Sequence, residues 1–254
     1  MTSVNFDRPS IVKLGNPVCA RHLGNVPATI MTRLRDEVAK YDFTSEQYVT
    51  TERSFKGTRR VVARDPRHKN KEQVYATADF DDNLMRITAE VRGFIEFYFL
   101  PKSIPVLVQL ACLMPGQRLE WHVDSFLYQQ YTNKIHVPLF SNQQSCYSVY
   151  KDGKFMNEHL DVGTVWNINN LDMHSSFNFG TTPRVHLIMD YVDAEILEEL
   201  EATGENYIHV PYPPAGQKMR QLYNETYAAE SAHSNSPAHH PRYGGYSVAS
   251  SSRG

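Results

Sequence analysis

The second half of the chain holds metal-ligating residue types at an informative spacing. His122-Val123-Asp124 follows a strand-like run and a Pro115-Gly116 turn, and His174 lies about fifty residues later. In extended backbone, residues i and i+2 share a face. His122 and Asp124 can therefore point into one cavity, and His174 can close the triangle from a facing strand. Two imidazoles and one carboxylate take one face of an octahedron and leave the opposite face open, as in non-haem Fe(II) oxygenases. A bare H-x-D tripeptide arises often by chance, so it needs support from its surroundings.

That support comes from Arg184, from the strand segment Lys134-Ile135-His136 and from the strand-rich setting. Arg184 stands ten positions after His174, in Thr181-Thr182-Pro183-Arg184-Val185-His186-Leu187. A cosubstrate with two carboxylates needs the metal at one end and a fixed positive charge at the other, and a planar guanidinium offers bidentate geometry. Lys134 and His136 alternate onto one strand face. If that face is inward they are further carboxylate donors; if the strand is an edge, Lys134 faces solvent. His159 competes with His174 as the distal ligand, but the spacing to Arg184 favours His174. His186 shares a face with Arg184 and reads as a packed, supporting imidazole. His22, His68, His209, His233, His239 and His240 have no partner pattern and are given no role.

These residues need a scaffold of strands. Runs at Val106–Leu113, Lys134–Leu139, Ser145–Tyr150, Gly163–Ile168 and Arg184–Tyr191 are rich in β-formers, with turns at Pro115–Gly116, Lys151–Gly153 and Gly180–Pro183. This regular spacing predicts a mainly β protein, a sandwich or jelly roll. Helices are expected over Pro27–Tyr41, with Ile30, Leu34 and Val38 as its stripe, and over Asp82–Leu100, with Leu84, Ile87, Val91, Phe94 and Tyr98. The expected organisation is a mixed N-terminal part over 1–103 whose helices pack on the barrel, and a jelly-roll core over 104–192. A helical extension follows over 193–227, with a short helix at Ala194–Thr203. The Ser-, His- and Pro-rich segment 228–254 reads as a disordered tail. The basic stretch Arg53–Lys71 reads as a solvated face, or as a wall that attracts an acidic substrate.

Bulk composition narrows the class. The 254 residues are 41% hydrophobic and 21% charged, ordinary for a globular protein. A net charge of −2 gives no footprint for nucleic acid or for a membrane surface. No apolar run is long enough to span a bilayer, and the first residues lack an apolar signal core, so a cytoplasmic location is expected. Cys19, Cys112 and Cys146 are odd in number and show no C-x-x-C spacing, which points to reduced, mostly buried thiols.

The region from Val106 to Tyr191 resembles the aspartyl/asparaginyl beta-hydroxylase family, which includes bacterial enzymes that hydroxylate free proline to cis-hydroxyproline. The pieces that match are Met114-Pro115-Gly116, His122-Val123-Asp124, Lys134-Ile135-His136-Val137-Pro138-Leu139, Gly163-Thr164-Val165-Trp166-Asn167, Asp172-Met173-His174, and the run from Pro183 to Asp190. The resemblance implies a double-stranded beta-helix with Fe(II) at His122, Asp124 and His174. It also implies 2-oxoglutarate held by Arg184 with help from Lys134 and His136, and O2 as the oxidant. The expected activity is hydroxylation of an unactivated C–H bond in a small-molecule amino acid or a peptide substrate, with Phe126, Tyr128 and Tyr131 as candidates for recognising it. The alternative is a cupin-like metal-binding protein or isomerase without oxygenase activity. Two departures stand out: Lys134 occupies a position where members commonly have Arg, and Ala111 stands where some have Ser.

Overall fold

One strand carries the plan of the molecule. Along β9 (Arg184–Asp193) the odd positions Val185, Leu187, Met189 and Tyr191 join the main apolar core, while Arg184, His186, Ile188 and Asp190 point the other way. Both sets are buried. A strand covered on both faces must lie between two layers. The computed structural model, which describes residues 14, 16–50, 58–64 and 80–203, supplies a layer of helices on one side and a second sheet on the other.

The elements run β1 (Ala20–Asn25), α1 (Ala28–Val38), β2 (Arg59–Arg64), α2 (Asp82–Tyr98), β3 (Ser103–Leu113), β4 (Asn133–Phe140), β5 (Ser145–Lys151), β6 (Lys154–Glu158), β7 (Thr164–Ile168), β8 (Met173–Asn178), β9 and α3 (Ala194–Thr203). The larger sheet has six strands in the order β1-β7-β4-β9-β3-β2, all antiparallel. The smaller has the order β6-β5-β8. Bridges at Arg118–Phe177 and His122–His174 lay the segment around the H-x-D motif along the free edge of β8. From β3 onward the chain therefore crosses repeatedly between the sheets, with β5 and β6 as a hairpin within the smaller one, which makes the fold a mainly β jelly roll.

The helical layer follows from its stripes. On α1, Met31, Leu34 and Val38 are buried; on α2, Leu84, Ile87, Val91 and Ile95 are. They meet Val108, Leu110, Ile135, Val137 and Leu139 from the larger sheet in one cluster. Each fully buried Leu or Ile contributes about 1.5–3 kcal/mol. Asp81 caps α2 by accepting a hydrogen bond from the Leu84 amide at 2.8 Å, and the helix stops before Pro101. The expected α2 stripe is corrected at its end. Ile95 lies within it, whereas Tyr98, although on the stripe by period, is the last residue of the helix and is 63% exposed, its ring against those of Phe94 and Phe97.

Four strands were not among the expected runs as such: β1, β2, β6 and β8. β1 and β2 come from the first hundred residues and form the two edges of the larger sheet, so that part contributes strands as well as helices. β8 reads Met-His-Ser-Ser-Phe-Asn, too polar to signal a buried strand, yet Ser175, Ser176 and Asn178 are all buried. Between β5 and β6, Asp152 (φ 50°) and Gly153 (φ 78°) are both left-handed, the conformation of a tight two-residue hairpin that matches strand twist. Expectations for 204–254, and for most of the basic stretch, lie outside the described residues. Among the described residues no helix is long and apolar enough to cross a membrane.

Candidate metal centre and anion site

His122 and His174 face each other across the bridge that joins the H-x-D segment to β8. The His122 amide donates to the His174 carbonyl (3.0 Å), and the His174 amide donates to the His122 carbonyl (2.8 Å). This double pairing sets the rings side by side, with centroids 4.3 Å apart. His174 is therefore the second residue of β8, on a strand that faces the H-x-D segment. Asp124 is fixed through its backbone: its amide donates to the Asn170 carbonyl (3.2 Å), and Gln130 Nε2 donates to its carbonyl (3.1 Å).

The three side chains converge. His122 Nε2 lies 3.9 Å and His174 Nε2 4.0 Å from Asp124 Oδ1. Among the described residues this is the one group of three His, Cys, Asp or Glu side chains placed to hold a metal, with ligand atoms within 4.8 Å of one another. Ring orientation is set from behind. His122 Nδ1 lies 2.7 Å from the Glu120 carbonyl and His174 Nδ1 2.9 Å from the Asp172 carbonyl. A carbonyl only accepts, so each Nδ1 carries the proton and each Nε2 presents its lone pair to the centre.

The charge states suit a cation. Burial, reinforced by the neighbouring His174, pushes His122 down to about 4. Burial also lowers His174, although Asp124 opposes it. Burial alone would raise Asp124, but Lys134 and the two histidines outweigh it and bring the carboxyl to about 2. Two neutral imidazoles and one carboxylate are the donor set that a first-row divalent metal requires. The residues present fit the metal.

A turn before β8 aims His174. Asn169 Oδ1 accepts from the Leu171 and Asp172 amides (3.1 and 3.0 Å), while its Nδ2 donates to Asp172 (2.8 Å). Tyr147 donates from its hydroxyl to the Asn169 carbonyl, and Asn170 donates to the Gln129 carbonyl (3.0 Å). Sequence reasoning missed Asn169 and Asn170. The Asn-Asn-Leu-Asp run is the side-chain-capped turn signal that marks them.

The inner face of the larger sheet supplies the rest. Arg184 is 4% exposed, and its Nη2 is buried without a hydrogen-bond partner among the described residues. Among the described residues its charged surroundings are Cys112, Cys146 and Tyr147, with no carboxylate, and burial lowers the guanidinium to about 10. A buried cation with no anion beside it is costly unless a ligand provides one. His136 is close enough to both groups to feel the charges of Arg184, Lys134, His174 and Asp124. Its Nδ1 is 3.3 Å from Nδ1 of His186, a buried ring whose Nε2 has no hydrogen-bond partner among the described residues. Burial, followed by Arg184, pushes both rings well below the usual imidazole range.

Lys134 is placed differently from Arg184 and His136. It is buried opposite Asp190 in the β4–β9 register. Its Nζ lies 2.8 and 3.1 Å from the two Asp190 oxygens and 3.1 Å from Asp124 Oδ2. It is not a solvent-facing edge lysine. Asp190, buried on the same face, was not singled out from sequence.

Other candidates fall elsewhere. His159 packs Nδ1 on the Ser145 carbonyl (2.9 Å) and faces Asp161, away from the metal group. Phe126, Tyr128 and Tyr131, expected to recognise substrate, pack with Val106, Val192, Ile196 and Leu200 beneath α3. The aromatic spacing there serves packing, because α3 needs an apolar bed. In the described part of the basic stretch, Arg60 is buried and donates from Nε to Gln109 at 2.6 Å, so it is not on a solvated face. Cys19 and Cys112 are buried free thiols raised by burial to about 12, and Cys146 is also free.

No family model matches the sequence, and no curated protein matches it. Solved structures do align with it. An oxidoreductase of the 2OG-Fe(II) oxygenase family from Burkholderia pseudomallei is 13% identical, with a TM-score of 0.48 over 69% of this chain and 85% of that one. A Pseudomonas putida prolyl-4-hydroxylase is 14% identical, with a TM-score of 0.45 over 68% and 91%. HygX from Streptomyces hygroscopicus, solved with nickel and 2-oxoglutarate bound, is 11% identical, with a TM-score of 0.46 over 69% and 82%. These are distant likenesses, and the fold assignment above stands on the strand order itself.

Proposed function

We propose that the chain is an Fe(II)- and 2-oxoglutarate-dependent oxygenase that hydroxylates an unactivated C–H bond of an amino acid, free or within a peptide. One observation carries this reading: a His-Asp-His metal group shares the inner face of a jelly roll with Arg184, a buried cation that has no carboxylate partner among the described residues.

Charge balance supports it. Asp124 and Asp190 on one side, and Lys134 and Arg184 on the other, cancel when the buried imidazoles are neutral. A divalent metal and a dianion add no net charge, so the two enter together without an uncompensated buried ion. His122, Asp124 and His174 would hold the metal, leaving the opposite face for exchangeable ligands. Arg184 would receive the far carboxylate of the dianion through its fork, with His136 and His186 as neutral partners beside it. When bound, Fe(II) with 2-oxoglutarate and O2 would supply the oxidising chemistry. The chain's share is to orient the dianion, to hold His122 and His174 in one tautomer, and to exclude water with the apolar walls around the strands.

The test is turnover. The protein is incubated with Fe(II), ascorbate and 2-oxoglutarate in air, with a panel of amino acids and short peptides. Succinate release and a mass gain of one oxygen atom on one panel member are expected. Metal uptake without succinate from any mixture would favour the metal-binding or isomerase reading instead.

A further inference from the structure

Lys134 is surrounded too well to wait for a ligand. Its ammonium sits between two buried carboxylates, Asp124 at 3.1 Å and Asp190 at 2.8 Å. The register pairs Lys134 with Asp190 across the two central strands, so the lysine is anchored by the most constrained part of the sheet. The two oxygens of Asp124 are thereby divided. Oδ1 faces both imidazoles, at 3.9 and 4.0 Å, while Oδ2 faces the ammonium.

From this division we infer that Lys134 is a positioning residue for the metal carboxylate: it holds Asp124 Oδ2 so that only Oδ1 is available to the metal, and Asp190 holds Lys134. The inference rests on the metal-binding reading above. Its consequence is coordination number. A carboxylate free to turn binds a divalent ion through both oxygens and fills a position that the reaction needs open. A carboxylate pinned through its outer oxygen cannot. The same geometry removes Lys134 from the set that touches a cosubstrate and leaves that task to Arg184 and His136. A lysine suits the pinning role because it offers a compact point charge on a long stem, while the bidentate fork stays at Arg184.

The experiment uses the full chain, metal-free, titrated anaerobically with Co(II) and read by its visible absorption, which reports coordination number without turnover. The informative variant is Lys134→Met with Asp190→Leu. It removes one positive and one negative charge, so the net charge of the site is unchanged and an electrostatic effect on cation affinity is minimised. The expected result is a retained fold by circular dichroism, an altered Co(II) spectrum, and an affinity lower by about 10-fold or more. An unchanged spectrum overturns the proposal. Unchanged Co(II) binding with a lost response to added 2-oxoglutarate would overturn it too, by making Lys134 a cosubstrate ligand. If the double variant loses its fold, Asp190→Asn serves in its place: the lysine loses its anchoring charge and the spectrum is expected to shift the same way, and no shift overturns the proposal. A wild-type chain that takes up no Co(II) removes the metal reading itself, whereas a wild-type response shared by the variants removes only this inference.

Discussion

Replacing Arg184 by Met tests the anion site from two directions. In the ligand-free protein the guanidinium is buried, with its value lowered from 12.5 to about 10 by desolvation. That depression corresponds to about 3 kcal/mol of unfavourable charge burial. The sign follows from linkage. A base whose folded value is lowered destabilises the fold fully at every pH below that value, and the penalty fades only as pH rises from about 10 toward the ordinary 12.5. Methionine has similar reach and no charge. Part of the penalty is returned in Arg184→Met, and the melting temperature of the metal-free, ligand-free protein is expected to rise by about 2–8 °C. Binding moves the opposite way. Losing a buried, charge-assisted contact to a carboxylate costs about 3 kcal/mol, or about 100-fold in affinity for 2-oxoglutarate. Calorimetric titration of the Co(II)-loaded protein measures this, and Co(II) affinity itself should stay within about threefold. Retained 2-oxoglutarate affinity, or a melting temperature that falls by several degrees, would refute the reasoning by making Arg184 a structural cation.

Three other perturbations discriminate as well. His174→Ala is expected to abolish metal uptake, whereas His159→Ala, whose ring packs on the Ser145 carbonyl, should leave it intact; metal content after anaerobic reconstitution decides. The metal-free protein should lose stability steeply as pH falls from about 6.5 toward 4. The unfolded chain takes up protons below 6.5 that His122 refuses until about 4, and His136, His174 and His186 are lowered too. Urea midpoints across that range give the slope, and a flat profile contradicts the buried, neutral histidines. Gly180→Ala should destabilise by about 1–3 kcal/mol, because a Cβ there would collide with the Asn142 side chain. Asn142 would be driven from Asn178 and Thr182, to which it donates at 3.0 and 3.1 Å just before β9; thermal melts measure the loss.

The sequence by itself determined the kinds of groups and their period. Alternation on β4 and β9 separates Ile135, Val137, Val185 and Leu187 from Lys134, His136, Arg184 and His186, whatever the fold around them. The helix stripes on α1 and α2 were legible for the same reason, since a local period needs no partner to be read. Tertiary structure decided what the polar rows face. Burying β9 on both sides turned Asp190 and His186 from ordinary strand residues into part of a charged interior. The pairing of Lys134 with Asp190, 56 positions apart, exists only because β4 and β9 are neighbours in the sheet. β8 is the strongest case. Its polar run carries no hydrophobic period, and it is a strand because the H-x-D segment and β5 hydrogen-bond to its two edges. Strand pairing is a long-range interaction that a sequence leaves open until the partner strand is in place.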